Sequence, residues 1–147
     1  MANRYFSLAQ VNRVIPELER IVEHLRSLNS EIREKEWQLK RAKVERRRET
    51  DVVDEEAFMR EEAEIDFLSI LVRSESERIR DLGGDLKGGY LVDFPGQIEG
   101  QDVLFCWKPG EPRILWYHSC NEGLVGRKPI PDQLLDDEES FDSTEEQ

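Results

Sequence analysis

Three side chains that can bind metals or act as nucleophiles occur in the C-terminal part of the chain: Asp93, Cys106 and His118. Apolar residues alternate with other residues around each of them, which is typical of short β-strands over residues 90–94, 103–107 and 114–118. If neighbouring strands pair antiparallel, this alternation places all three side chains on one mostly apolar face. Any chemistry of this protein is therefore expected on that face.

Three kinds of chemistry are open to this face. Cys106 and His118 could act as nucleophile and base, or they could bind zinc or iron together with the nearby Glu122. In the third reading Cys106 is a small buried hydrophobe and His118 a hydrogen-bonded residue at a strand end, which the absence of CxxC and HxxxH spacings favours. The candidate ligand-binding residues are Asp93, Cys106, His118 and Arg127. The planar guanidinium of Arg127 could bind an anion, or it could pair structurally with Asp93 or Glu122.

No catalytic residue is assigned. The chain contains no Walker loop and no GxGxxG, GxSxG or HExxH motif, so nucleotide-binding, serine-hydrolase and zinc-protease functions have no support. The sequence therefore leans away from enzymatic activity without deciding the question.

The turns between the strands predict how the strands align. A loop over residues 95–102 places Phe94 opposite Val103, and a turn over residues 108–111 places Trp107 opposite Arg113. Proline–glycine pairs at 95–96 and 109–110 are expected to end the strands that precede them.

Residues 7–83 predict a long antiparallel hairpin of two helices with coiled-coil spacing of apolar residues. Ser7 and Gln10 form a capping box that starts the first helix. Pro16 predicts a kink or short break, followed by a straight part over residues 17–48. The second helix is expected to begin near Asp54 and to end before the glycine pair at 83–84.

Together these patterns predict an α+β fold in a single domain of residues 1–131. The helical hairpin over 7–83 precedes a small three-stranded antiparallel sheet within 84–131. Residues 132–147 carry eight acidic side chains and no basic one. Because such a segment buries too little apolar surface to offset its ordering entropy, it predicts a disordered acidic tail.

Composition excludes some classes of protein. Of the 147 residues, 37% are charged, the net charge is −12, and no apolar run approaches the ~20 residues of a membrane span. The basic run over residues 40–48 is followed by acidic residues at 51–64, and mutual neutralisation argues against nucleic-acid binding. Two cysteines and the absence of a secretory leader favour a cytoplasmic location.

The second helix is too apolar for a hairpin alone. Six of the eight residues from Ile65 to Val72 are large and apolar, and Trp37 lies off the apolar seam of the first helix. These residues predict a homo-oligomer, with a dimer favoured. The leading hypothesis is thus a cytoplasmic oligomeric interaction or scaffold protein acting through protein partners. The alternative is a small metal- or cofactor-binding protein, which could also be an enzyme.

Several motifs occur in a fixed order along the chain. They are Phe6-Ser7-Leu8-x-x-x-Asn12-x-x-Ile15-Pro16, Gly89-x-Leu91-Val92-Asp93-Phe94-Pro95, Leu104-x-Cys106-Trp107-x-x-Gly110-Glu111-Pro112, an aromatic followed by His118, and Gly123-x-x-Gly126-Arg127-x-Pro129. This pattern resembles the domain of unknown function 2203 family of small bacterial proteins over residues 4–131. One position departs from the family, which usually has Trp where this chain has Tyr117. The resemblance implies no activity, cofactor or partner.

Overall fold

The computed structural model describes residues 4–50, 52, 54–121 and 126–135. The described chain has the predicted α+β fold, with two long helices and an antiparallel sheet of five strands in sequential order. The elements are α1 (Leu8–Glu49), α2 (Met59–Asp81), β1 (Asp85–Leu86), β2 (Val92–Ile98), β3 (Gln101–Trp107), β4 (Trp116–His118) and β5 (Lys128–Pro129). The predicted three strands correspond to β2, β3 and β4. The edge strands β1 and β5 were missed because two residues are too few to show alternation.

Contacts divide the chain into two compact units. One consists of the described residues of Met1–Val22 and Ile79–Gln147, and it contains the start of α1 and the whole sheet. The other is Glu23–Arg78, which contains most of both helices. The units thus divide within the helices and not at the glycine pair that separates the helices from the sheet.

The start of α1 follows the predicted capping box. The Gln10 amide N–H donates to Ser7 Oγ at 3.1 Å, and the Ser7 N–H donates to Gln10 Oε1 at 2.9 Å. Of the kink or short break expected at Pro16, the break does not occur, because the helix continues through this residue. Proline removes only one backbone donor, and burial of the flanking Ile15 and Leu18 favours the continuous helix.

The start of α2 lies five residues later than predicted. Asp54 Oδ1 accepts a hydrogen bond from the Glu56 N–H at 3.0 Å, which stabilises a turn over residues 55–58 instead of the first turn of an α-helix. The other end of α2 is a Schellman motif, as the glycine pair indicated. Gly83 has a φ of +99°, and the Gly84 N–H donates to the Ile79 carbonyl at 3.0 Å.

The unit Glu23–Arg78 contains the expected neutralisation between basic and acidic residues. Lys43 Nζ lies 2.9 Å from Glu62 Oε1, and Arg46 Nη2 lies 3.3 Å from Asp54 Oδ2. Two basic side chains near the end of α1 are therefore paired with acidic residues within the chain.

The register of the sheet differs from the prediction by two residues. Phe94 pairs with Phe105 instead of Val103, because β2 continues through Pro95 and Gly96 to a tight turn at residues 99–100. The φ angles of Glu99 and Gly100, 52° and 80°, suit the type I′ turn of a two-residue hairpin. Similarly, Cys106 pairs with Trp116. A shift of two residues leaves each side chain on its predicted face, since strand side chains alternate with a period of two.

The C-terminal end of the described chain is a turn of helix over residues 132–135, in which Leu135 is buried. The predicted acidic tail therefore starts with four helical residues, and the prediction for residues 136–147 lies outside the described residues. Neither long helix combines the length and apolar character needed to cross a bilayer.

Candidate functional site

The three central strands bring Asp93, Cys106 and His118 together. Asp93 pairs with Cys106 between β2 and β3, and Leu104 pairs with His118 between β3 and β4. The three residues are only 3%, 1% and 4% exposed. One potential ligand atom from each lies within 4.8 Å of the other two. The arrangement predicted from strand alternation is thus present as a buried cluster.

Hydrogen bonds orient the imidazole of His118 within this cluster. Its Nδ1 lies 2.8 Å from the Ser119 carbonyl oxygen, and its Nε2 lies 3.1 Å from Asp93 Oδ1. A carbonyl oxygen only accepts hydrogen bonds, so Nδ1 carries a hydrogen and donates it to Ser119. The nitrogen that faces the cluster is therefore Nε2.

One proton must lie between His118 and Asp93. A lone pair on Nε2 facing an ionised carboxylate would leave two acceptors in contact, so either the imidazole or the carboxyl group is protonated. Both side chains are almost completely buried, at 5% and 4% exposure, which makes an unshared charge costly. A cation that replaced this proton would contact both groups at once.

The thiol of Cys106 is held in its protonated form. Burial, and next the negative charge of Asp93, raise the pKa of Cys106 from 9.0 to about 11, although Arg127 opposes this shift. A reactive cysteine is usually partly exposed and has a lowered pKa. In addition, both ring nitrogens of His118 already have hydrogen-bond partners, so the geometry does not present His118 as a base for Cys106.

Arg127 lies beside the cluster and is held by three contacts. Its Nη2 donates to the Cys106 carbonyl oxygen at 3.2 Å and pairs with a carboxylate oxygen of Glu111. Its guanidinium carbon lies 5.1 Å from the centre of the Trp116 ring. Arg127 was expected to bind an anion or to pair with Asp93 or Glu122, whereas its observed acidic partner is Glu111. These contacts hold the guanidinium next to Cys106.

The turn between β3 and β4 places Glu111 at this position. The Glu111 N–H donates to the Lys108 carbonyl at 3.0 Å, while Glu111 Oε1 accepts from the Lys108 N–H at 2.6 Å. The Glu111 carbonyl accepts a hydrogen bond from the indole N–H of Trp107 at 2.9 Å. Glu111, the acidic residue of the Gly110-Glu111-Pro112 motif, is thus held in place by hydrogen bonds of both its backbone and its side chain.

Glu122, the third metal ligand suggested by the sequence, lies outside the described residues. Among the residues that are described, Asp93 takes its place as the carboxylate next to Cys106 and His118. Strand alternation had placed Asp93 on this face, but its distance in sequence from the other two residues concealed the contact with His118.

The protein thus has an α+β fold with a buried cluster of Asp93, Cys106 and His118 on its sheet. The chain matches the DUF2203 family, described as an uncharacterized conserved protein, over residues 4–130. It belongs to this family, as the order of its motifs indicated. Comparisons with curated proteins and with solved structures find no significant match.

Proposed function

We propose that this protein binds a divalent transition-metal ion through Asp93, Cys106 and His118. The observation that supports this proposal is the convergence of a carboxylate oxygen, a thiol sulfur and an imidazole nitrogen within 4.8 Å in a buried setting. These three donor types are all common zinc ligands. Three protein ligands with an open fourth position are typical of zinc sites that also bind water or a substrate.

The separations fit a metal ion after a small contraction. Ligand atoms at 2.0–2.3 Å from a tetrahedral ion lie about 3.3–3.8 Å apart. The Nε2 of His118 and the Oδ1 of Asp93 are already 3.1 Å apart. The widest separation in the cluster is at most 4.8 Å, so it has to shorten by only about 1 Å.

The hydrogen bond behind His118 also supports metal binding. Imidazole ligands commonly donate their second N–H to a carbonyl or carboxylate, which fixes the ring and its tautomer. The bond from Nδ1 to the Ser119 carbonyl has this form and leaves Nε2 directed at the cluster.

The donor set selects a class of metal. Thiolate and imidazole ligands favour zinc or ferrous iron over magnesium and calcium, which prefer oxygen ligands throughout. Zinc is the first choice, and iron the second.

Titration calorimetry with Zn²⁺ tests the proposal on chelator-treated protein. We expect one ion per chain, and we expect Cys106→Ser and His118→Gln to lose most of the affinity. Cys120→Ser is the matched control, because Cys120 is the exposed free cysteine. Circular dichroism spectra establish that each variant is folded. Unchanged zinc binding by both cluster variants, or no binding by the wild type, contradicts the proposal.

We also propose a second role, as a cytoplasmic oligomeric interaction or scaffold protein. Its support is the exposure of large apolar side chains on α2, among them Phe67 at 60% and Ile70 at 59%. The free state of Cys106 and Cys120 suits a reducing compartment. Size-exclusion chromatography with light scattering tests this role, since a monomer at every concentration contradicts self-association.

A further inference from the structure

A second apolar stripe runs along α2, separate from the buried residues of that helix. Its members are Met59, Ala63, Phe67 and Ile70, spaced by four, four and three residues, so they share one face. Met59, Phe67 and Ile70 are 58%, 60% and 59% exposed, whereas the neighbouring Leu68 is 8% exposed. Three large apolar side chains in a row on a solvated face indicate a contact surface.

Charges beside this stripe indicate what covers it. Asp66 and Arg73 are both exposed and lie seven residues apart, on the same edge of the stripe. In an antiparallel pair of identical helices that cross near residues 69–70, Asp66 lies opposite the partner's Arg73, and Arg73 lies opposite the partner's Asp66. The two-fold axis then forms two opposite-charge pairs around the Ile70 contact.

On the opposite edge the same register places Glu64 opposite the partner's Glu75, a pair of like charge. Arg60 lies 3.8 Å from Glu64, and Arg78 lies 3.1 Å from Glu75, so each arginine already has an acidic partner in its own helix. The negative charges of Glu64 and Glu75 are therefore partly neutralised within each chain before two copies associate.

We propose that the end of this stripe at Phe67 and Ile70 is the docking surface for α2 of a second copy of the chain, paired antiparallel about a two-fold axis. The proposal gives the interaction role a specific partner and does not depend on metal binding. With 23 residues, α2 is about 35 Å long. At about 10 Å width the whole helix offers at most about 350 Å² per copy, below the ~800 Å² of a standard interface. In this register Met59 and Ala63 lie opposite the partner's Arg80 and the partner's Ser76, so the apolar contact is small and the dimer is weak.

The first test is sedimentation velocity over a concentration series up to about 1 mM, which reaches Kd values at the weak end of the scale. We expect a monomer–dimer equilibrium that Ile70→Glu shifts at least tenfold toward monomer. Val44→Glu is the control, since Val44 is also an exposed apolar residue, at 44%, but lies on α1. A monomer throughout the series, or a dimer indifferent to Ile70→Glu, overturns the proposal and assigns the stripe to a different partner or to none.

The second test uses charge reversal to examine the antiparallel register. Asp66→Arg and Arg73→Asp each place like charges opposite one another, so each variant alone should dimerise less than the wild type. An equimolar mixture should recover association, because the acidic residues of one variant then face the basic residues of the other. Both positions are exposed, so the folding of the monomer is not at risk. Failure of the mixture to associate better than either variant overturns the proposed register.

Discussion

Replacement of Asp93 offers the sharpest test of the hydrogen bonding in the cluster. The Asp93 and His118 side chains are 4% and 5% exposed, and the carboxylate is the partner of His118 Nε2 at 3.1 Å. Asp93→Ala leaves Nε2 buried with neither protein partner nor ready access to water. Breaking a buried ion pair costs about 3–5 kcal/mol, and leaving a neutral buried group without a partner costs about 1–3 kcal/mol. We expect a loss of about 3 kcal/mol in the free energy of unfolding.

Asp93→Asn should be much milder, because of the tautomer assigned to His118. With Nδ1–H donated to Ser119, a neutral imidazole presents a lone pair on Nε2, and the amide N–H of asparagine can donate to it. The expected loss is about 1 kcal/mol, within the range of a single altered hydrogen bond.

Urea denaturation of chelator-treated protein, followed by circular dichroism, measures both losses. Asp81→Asn serves as the control, because Asp81 is exposed and its replacement should change stability by no more than about 0.5 kcal/mol. If Asp93→Asn is as destabilising as Asp93→Ala, the assigned tautomer is wrong. A loss below about 1 kcal/mol for Asp93→Ala would show that the buried pair does not form.

Three other expectations concern the surroundings of the site. Because the pKa of Cys106 is raised from 9.0 to about 11, the unfolded chain loses this thiol proton at lower pH than the folded protein. The free energy of unfolding should therefore fall by up to about 3 kcal/mol between these pH values. In urea titrations at a series of pH values, Cys106→Ala should remove this part of the pH dependence. Arg127→Gln removes a charge that lowers the pKa of Cys106, so thiol titration by ultraviolet absorbance should shift to higher pH; an unchanged titration contradicts this contact. A Cβ at Gly96 would lie 2.1 Å from the Phe105 ring, so Gly96→Ala should lower the free energy of unfolding by at least about 1–3 kcal/mol. A Cβ at Gly88 would have no atom within 4 Å, so Gly88→Ala should not lower the thermal midpoint.

Local sequence signals predicted most of the fold. The capping box at Ser7 and the glycines at the end of α2 specify their helix ends through hydrogen bonds between neighbouring residues. The predicted start of α2 was wrong because the Asp54 side chain can cap either a helix or a turn, and the sequence does not distinguish the two.

The site was predictable to the extent that it depends on strand alternation. Asp93, Cys106 and His118 share a face in the predicted register and in the observed one, because the two registers differ by an even number of residues. The contact between His118 and Asp93, and the pairing of Arg127 with Glu111, depend on side-chain positions that no local pattern encodes. These two contacts could therefore be identified only from the structure.

The most direct measurement of the central claim is X-ray absorption at the zinc edge on protein loaded with one equivalent of Zn²⁺. The proposed site predicts one sulfur neighbour at about 2.3 Å together with nitrogen and oxygen neighbours at about 2.0–2.2 Å, and loss of the sulfur shell in Cys106→Ser. A wild-type spectrum with only oxygen and nitrogen neighbours, or a sulfur shell that persists in Cys106→Ser, would contradict metal binding by Asp93, Cys106 and His118.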